Sequence, residues 1–315
     1  MTETLNQAEE SYRGITETLV DFAGCEENRL VGTLYRLENS DEAPREPQAV
    51  ALFMHGGGQT RHSWQGAAQK LAALGIDAVS LDARGHGDSA WSETQSYRLD
   101  DFAKDLGEVA RKIATEYGRR PILIGASMGG LATMRAQQIV GTDLFEAIIF
   151  VDITPNMQRS GVDRILGFMG DRVAEGFASP EEAADAIAAY LPGRSRPKSL
   201  DGLSKNLRQR ADGRYYWHWD PAFVTGARSI THEGEDSYGR LKEAVTLISV
   251  PTLLVRGSKS ELVSAEAVAE FRALAPHAKT IDISEAGHMV AGDKNDVFAQ
   301  AVIDFVHTDV LRKAA

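Results

Sequence analysis

Pro121-Ile-Leu-Ile-Gly125-Ala126-Ser127-Met128-Gly129-Gly130 decides how the rest of this 315-residue chain is read. An apolar run enters Gly125, and after Ser127 the positions Leu131, Met134, Arg135, Gln138 and Ile139 take up helical spacing, which puts the serine on a strand-to-helix corner. A corner this sharp strains its central residue and brings the two backbones together, so only small neighbours fit. Gly125 and Gly129 supply the missing side chains. The hydroxyl of Ser127 is then exposed, and the N–H of Met128, at the positive end of the new helix, is aimed at any oxyanion formed beside it. Glycine and serine are common, so the G-x-S-x-G pattern also arises by chance, and its surroundings decide.

Upstream, Gly14 to Asp21 and Arg29 to Arg36 alternate well enough for two antiparallel edge strands, after a polar segment, residues 1–13, expected to be disordered. Ala49 to Met54 is a continuous apolar run, as in a strand buried on both faces of a parallel sheet, and it ends at His55-Gly56-Gly57-Gly58. A helix from Ser63 to Leu74, a strand Asp77 to Leu81, the loop Arg84-Gly85-His86-Gly87-Asp88-Ser89 and a helix from Arg98 to Tyr117 follow. Downstream, Phe145 to Val151 forms the next strand and leads to Asp152-Ile-Thr-Pro155. This alternation predicts a parallel sheet with right-handed crossovers and helices on both faces.

The alternation stops for about 90 residues. Val162 to Glu175, Ser179 to Tyr190 and a stretch near Leu200 to Gln209 are expected as helices, followed by Tyr215-Tyr216-Trp217-His218-Trp219, and no strand of sheet quality is expected. Strand and helix return at Val250 to Arg256, Ala265 to Leu274, Lys279 to Ile283 and Asn295 to Val310. The expected organisation is a core of residues 14–155 and 246–315 with a helical cap at 156–245. Charge agrees: residues 156–245 carry 13 Lys+Arg and 13 Asp+Glu, leaving 21 against 32 elsewhere.

The net charge of −11 argues against a nucleic-acid partner, because phosphate binding wants a clustered cationic surface. No run approaches the roughly 20 apolar residues of a membrane span. The single cysteine, Cys25, allows no internal disulfide and is expected as an inert hydrophobe in an early strand. No signal-peptide core is present, so a cytoplasmic location is expected. No cofactor or metal is implied: His55 and His62 lie seven apart without acidic companions, and the Gly56-Gly57-Gly58 turn has neither dinucleotide spacing nor a phosphate-loop lysine. The partner expected is a small-molecule substrate, with room left for a homodimer.

A serine hydroxyl needs a base, and the base needs a partner that fixes its tautomer. His288, in Glu285-Ala286-Gly287-His288 after the last strand, is the favoured base because a late loop can return to the sheet end near Ser127. His86 is read as structural, and His62, His232, His277 and His307 as surface positions.

Gly125-Ala-Ser-Met-Gly129, His55-Gly56-Gly57-Gly58, Arg84-Gly-His-Gly-Asp-Ser89 and Ala286-Gly-His288 together resemble the α/β-hydrolase superfamily, in particular its cap-bearing members, over roughly residues 14–310. The resemblance implies an eight-stranded, mostly parallel sheet with a cap after the sixth strand, Ser127 as nucleophile, His288 as base, and an oxyanion hole from the N–H groups of Gly57 and Met128. The acid departs from the commonest pattern of that superfamily, an Asp about three residues past the glycine of the seventh strand; here Ser258, Lys259 and Ser260 intervene before Glu261. Asp152, ending the sixth strand, is favoured as the acid, with Glu261 as the alternative.

Serine at the corner, where some relatives need a carboxylate, implies acyl chemistry on esters, lactones or similar substrates. Tyr216, Trp217, His218 and Trp219, with His55 and Trp64, are the candidates for touching a hydrophobic or aromatic substrate. The rings could equally form the cap's own core, and Trp64 could pack under its helix. Two other classes stay open: a C–C bond hydrolase or cofactor-independent oxygenase using His288 as base on the substrate, and a non-catalytic ligand receptor.

Overall fold

The computed structural model describes residues 14–38, 46–191, 200–232 and 237–312. The N-terminal segment and the basic loop Arg194 to Lys198 lie outside the described residues. Eight strands form one sheet: β1 (Ile15–Ala23), β2 (Arg29–Leu37), β3 (Ala49–Met54), β4 (Ile76–Leu81), β5 (Ile122–Ala126), β6 (Ala147–Val151), β9 (Thr252–Gly257) and β10 (Lys279–Ile283), in the order β1-β2-β4-β3-β5-β6-β9-β10. Only β2 runs against its neighbours. The other contacts, from β4 to β10, are parallel.

All six residues of β3 are buried, and period-2 alternation divides them between two cores. Val50, Leu52 and Met54 pack with the helices Leu99–Tyr117 and Met128–Ile139. Ala49, Ala51 and Phe53 pack with Gln65–Ala73 and Asn295–Phe305 on the opposite face. Because the parallel strands point one way, the residues after β3, β4, β5, β6 and β9 gather at a single sheet edge.

Between β6 and β9 come the helices Arg159–Gly170 and Pro180–Tyr190, a single turn Asp201–Lys205, and later the helices Ala222–Thr225 and Ser237–Thr246. Ser179 caps the second helix, its hydroxyl accepting from the Glu182 N–H at 3.4 Å. The first helix ends earlier than expected, because Asp171 turns extended (ψ 133°) and Arg172 takes φ 55°.

This segment also corrects an expectation. Leu207–Gln209 (β7) pairs antiparallel with Tyr215–Trp217 (β8), where no strand and a helix through Gln209 were expected. Gly213, at φ 81°, closes the turn by donating to the Arg210 carbonyl at 2.9 Å, and the aromatic run after it favours strand over helix. Cys25 is a second correction: it sits half-buried in the β1–β2 turn, its N–H donating to Asp105 Oδ1 at 2.9 Å.

At the corner, a Cβ on Gly129 would lie 2.4 Å from the Met54 carbonyl oxygen. Backbone cannot give way there as a flexible side chain would. Gly129→Ala is therefore expected to cost at least about 2 kcal/mol, measured by urea unfolding. A loss below about 0.5 kcal/mol would show that the helix and β3 are not locked together at this point.

Candidate active site

Ser127 takes φ 46° and ψ −117° between β5 and the helix Met128–Ile139. For a non-glycine residue this is a strained conformation, costing on the order of 1–3 kcal/mol and kept only where the surroundings over-determine it. The first helical hydrogen bond is donated by Leu131 to the Ser127 carbonyl at 2.9 Å, so the N–H groups of Met128, Gly129 and Gly130 precede the helical ladder. A methyl on Gly56 would sit 3.2 Å from Ser127 Cβ, which places the turn after β3 directly against the serine.

Asp152 follows β6 with its side chain fully buried. Its Oδ2 lies 2.7 Å from His288 Nδ1 and accepts from the Ser260 hydroxyl at 2.5 Å, while Oδ1 accepts from the Gly257 N–H at 2.9 Å. Three donors thus surround one carboxylate, and the bond to Nδ1 leaves Nε2 of His288 as its other ring nitrogen. Glu261 is not part of this cluster. Its partly exposed carboxylate faces Arg164 at 3.7 Å.

Ser260 was missed in the sequence. It stands three residues past Gly257, where the superfamily's commoner pattern carries its acid, and its hydroxyl also accepts from the N–H groups of Leu262 and Val263 at 3.1 and 3.0 Å.

The turn after β3 is held by histidines. His55 is fully buried. Its Nε2 accepts from the Ala83 N–H at 3.0 Å, so Nδ1 carries the proton and donates to the Gly56 carbonyl at 2.7 Å. That carbonyl also accepts from the Gln59 N–H at 3.1 Å. Since a peptide's C=O and N–H point in opposite directions, this fixes the orientation of the Gly57 N–H. Gln59 completes the turn, accepting from the Gly56 N–H at 3.0 Å and reaching the Met289 sulfur at 3.0 Å with Nε2.

His86, also buried, accepts from the Gly58 N–H at 3.1 Å through Nε2 and donates from Nδ1 to the Arg84 carbonyl at 3.0 Å. Burial pushes His55 down to about 4, and burial with the neighbouring His55 pushes His86 down to about 3.

Ser127, Met128, Gly57 and His288 line one cavity of about 1140 Å³. From the aromatic cluster, Trp217 and Trp219 line it too. They stack with ring centroids 5.0 Å apart. Strand alternation turns Tyr216 and His218 the other way, Tyr216 hydrogen-bonding Asp212 at 2.8 Å, and neither lines the cavity. His55 and Trp64 do not line it either. Trp64 packs against Phe53 and Phe298 on the far side of the sheet, 5.2 and 5.8 Å between centroids. Four of the six expected substrate contacts therefore lie elsewhere, and for His55 and His218 the reason is that both ring nitrogens are occupied by backbone. His232, expected as a surface residue, stands exposed on the cavity wall. Two cations of the insertion are engaged: Arg208 pairs with Asp88 of the loop after β4 at 2.9 Å, and Arg210 lies 3.8 Å over the Tyr216 ring.

A profile of the alpha/beta hydrolase family matches residues 51–301, most of the chain, and the chain belongs to that family. Among characterised relatives it is similar to the esterase Rv0045c of Mycobacterium tuberculosis, 28% identical over 271 residues, or 84% of this chain and 83% of that protein. It is also similar to the 2-(acetamidomethylene)succinate hydrolase of Mesorhizobium japonicum, 29% identical over 231 residues, 72% and 77% of the two chains. A solved structure of the M. tuberculosis esterase superposes with a TM-score of 0.73 at 24% identity, covering 98% of this chain and 97% of that one.

The buried histidines predict a pH response. A histidine held neutral well below its ordinary value of about 6.5 stays unprotonated in the folded chain while the unfolded chain takes up a proton, so stability is full above about 6.5 and falls as pH drops toward 4. Each such group contributes a slope of about 1.4 kcal/mol per pH unit in that window. Urea unfolding of His86→Gln at pH 6, 5.5 and 5 should show a slope shallower than wild type by about 1.2 kcal/mol per pH unit. Parallel curves would show that His86 is protonated in the folded chain.

Proposed function

We propose that the protein is a serine hydrolase of carboxylic esters, lactones included. Ser127 is the nucleophile, His288 the general base, Asp152 the acid that orients it, and the N–H groups of Gly57 and Met128 the oxyanion hole. The observation that carries the reading is the buried carboxylate of Asp152 at 2.7 Å from Nδ1 of His288, a histidine that lines the same cavity as a serine on a strained corner. No metal is invoked, and among the described residues no group of three His, Cys, Asp or Glu side chains is placed to hold one.

In the first step Ser127 attacks the ester carbonyl while His288 Nε2 accepts its proton. The tetrahedral oxyanion develops beside the Gly57 and Met128 N–H groups, whose orientation is set by the Gly56 carbonyl's two donors and by the helix end. His288 then returns the proton to the leaving alcohol. Water, deprotonated by the same imidazole, attacks the acyl-enzyme and restores Ser127. Asp152, with three donors of its own, holds the ring and compensates the positive charge that appears on it twice per cycle.

The insertion 156–245 serves as the cap. Its Phe168, Met169, Ile187, Tyr190, Trp217 and Trp219 surround the reacting end with apolar surface in a cavity larger than most small-molecule sites, which suits an extended or bulky hydrophobic acyl or alcohol group. The name of the M. tuberculosis relative, an esterase, agrees with this class.

A panel of p-nitrophenyl esters and several lactones tests the proposal on wild type, Ser127→Ala, Asp152→Asn and Glu261→Gln. The first two variants should lose at least about 10³-fold in kcat/KM and the third no more than about threefold. Retention of most activity by Ser127→Ala would replace acyl chemistry with a base-only reaction, and equal losses in the two carboxylate variants would overturn Asp152 as the acid.

Lengthening the acyl chain of the p-nitrophenyl esters should raise kcat/KM by up to about fourfold per methylene, the factor that about 0.8 kcal/mol of burial gives, until the chain meets the cavity wall. A flat or falling series from acetate onward would show that the acyl group does not enter the apolar cavity.

A further inference from the structure

His218 has no part in the acyl mechanism and faces away from the cavity, yet it is 1% exposed and both its ring nitrogens are used. Nδ1 accepts from the Gly87 N–H at 2.7 Å, so Nε2 carries the proton and donates to the Gly58 carbonyl at 3.2 Å. Gly58 therefore has its N–H held by His86 and its carbonyl held by His218, one residue after Gly57 and two after Gly56. The three imidazoles form a file, with centroids 5.2 Å apart from His55 to His86 and 5.8 Å from His86 to His218. Gly58 cannot be replaced easily: it has φ +72°, and a Cβ there would meet Met169 at 3.1 Å and Trp219 at 3.4 Å, both from the insertion.

His55 and His86 belong to the core, whereas His218 comes from the insertion, immediately after β8. The same stretch grips the loop after β4 elsewhere. Arg208 donates to the Gly87 carbonyl at 3.1 Å and to Asp88 Oδ1 at 2.9 Å, and the Asp220 N–H donates to the Gly85 carbonyl at 2.9 Å. The β7–β8 hairpin is thus fastened to the core loop, and His218 is the one of these contacts that continues to the turn beside Ser127.

We propose that His218 is a positioning residue for the reaction at Ser127: by bridging Gly87 to the Gly58 carbonyl it holds the turn that carries the Gly57 N–H, so that a seated hairpin and a formed oxyanion hole are one arrangement. The catalytic half of this inference rests on the acyl reading above. A donor misaimed by a released turn is lost when charge develops on the substrate oxygen and is hardly needed for the neutral ester, so its loss falls on kcat rather than KM.

Two variants separate positioning from simple packing. His218→Phe keeps a ring between His86 and Trp219 but removes both hydrogen bonds. His218→Gln keeps one acceptor and one donor. With p-nitrophenyl butyrate, His218→Phe should lower kcat about 10- to 100-fold with KM within about threefold, and His218→Gln should recover most of the loss. A folded His218→Phe with kcat within about twofold of wild type overturns the proposal. So does a glutamine variant no better than the phenylalanine one.

A measurement independent of turnover accompanies these. In wild-type protein with 15N-labelled histidine at pH 7, His218 should be protonated on Nε2, and His55 and His86 on Nδ1. His218 protonated on Nδ1 refutes the clasp, and this decides the matter should the phenylalanine variant fail to fold. A wild type that hydrolyses no ester sinks the acyl reading and the catalytic half of this inference, and the tautomer pattern then upholds or refutes the hold on Gly58 by itself.

Discussion

The close approach of the helix Met128–Ile139 to the ends of β3 and β5 is the constraint on which the site depends. A Cβ at Gly125 would lie 3.0 Å from the backbone of Gly129 and Gly130, and one at Gly129 would collide with Met54. With both Cβ atoms absent, the chain turns from strand into helix within one residue, and Ser127 takes up the strain. The strain is tolerated because the close packing of β3, β5 and the helix Met128–Ile139 determines the corner. Everything else in the candidate site is brought to that corner by the parallel sheet, whose strands all deliver their ends to the same edge.

Asp152 shows how the constraint leaves freedom elsewhere. An imidazole needs a carboxylate at Nδ1, and neither geometry nor electrostatics specifies which strand must supply it. β6 and β9 are neighbours, and Asp152 at the end of one lies within hydrogen-bond reach of Gly257 and Ser260 at the end of the other. The carboxylate arrives from one strand and the place three residues past the glycine of the next is filled by a hydroxyl that donates to it. A buried carboxylate with one partner would be costly; with three it is stable.

The sheet, the corner and the pairing of Asp152 with His288 were legible because each rests on local chemistry that a sequence displays: an apolar run of strand length, glycines at fixed offsets, a carboxylate after an apolar strand that must find donors. The β7–β8 hairpin was not, since its strands are three residues long and its signals, a glycine turn in a basic stretch and the aromatics after it, are too short to set a period. Of the six residues singled out for the cavity, only Trp217 and Trp219 line it. The alternation in Tyr216-Trp217-His218-Trp219 separates two faces, but which face meets the cavity is set by how the hairpin docks, and that depends on residues far along the chain, such as Gly87, 131 positions from His218. Trp64 stayed open between the cavity and its own helix because a tryptophan beside this turn carries no mark of which face of the sheet it serves.

Neutral histidine suits the region behind the glycine turn for a physical reason. The glycine turn leaves backbone donors and acceptors pointing into a space closed by Phe102 and Phe223, whose rings lie 6.5 and 4.7 Å from His86. Each must be paired, because an unpaired buried backbone group costs on the order of 1–3 kcal/mol. A lysine or an aspartate there would offer only donors or only acceptors and would bring a charge whose desolvation costs several kcal/mol. A neutral imidazole offers one of each, rigidly opposed across a ring, which matches a site that presents an N–H on one side and a carbonyl on the other. Three such rings satisfy the Ala83, Gly58 and Gly87 N–H groups and the Gly56, Arg84 and Gly58 carbonyls without adding net charge near the place where negative charge is proposed to develop. The field at the candidate oxyanion position is then left to the helix end and the Gly57 N–H, and burial, by holding the rings neutral, keeps it so until the solution is acidic.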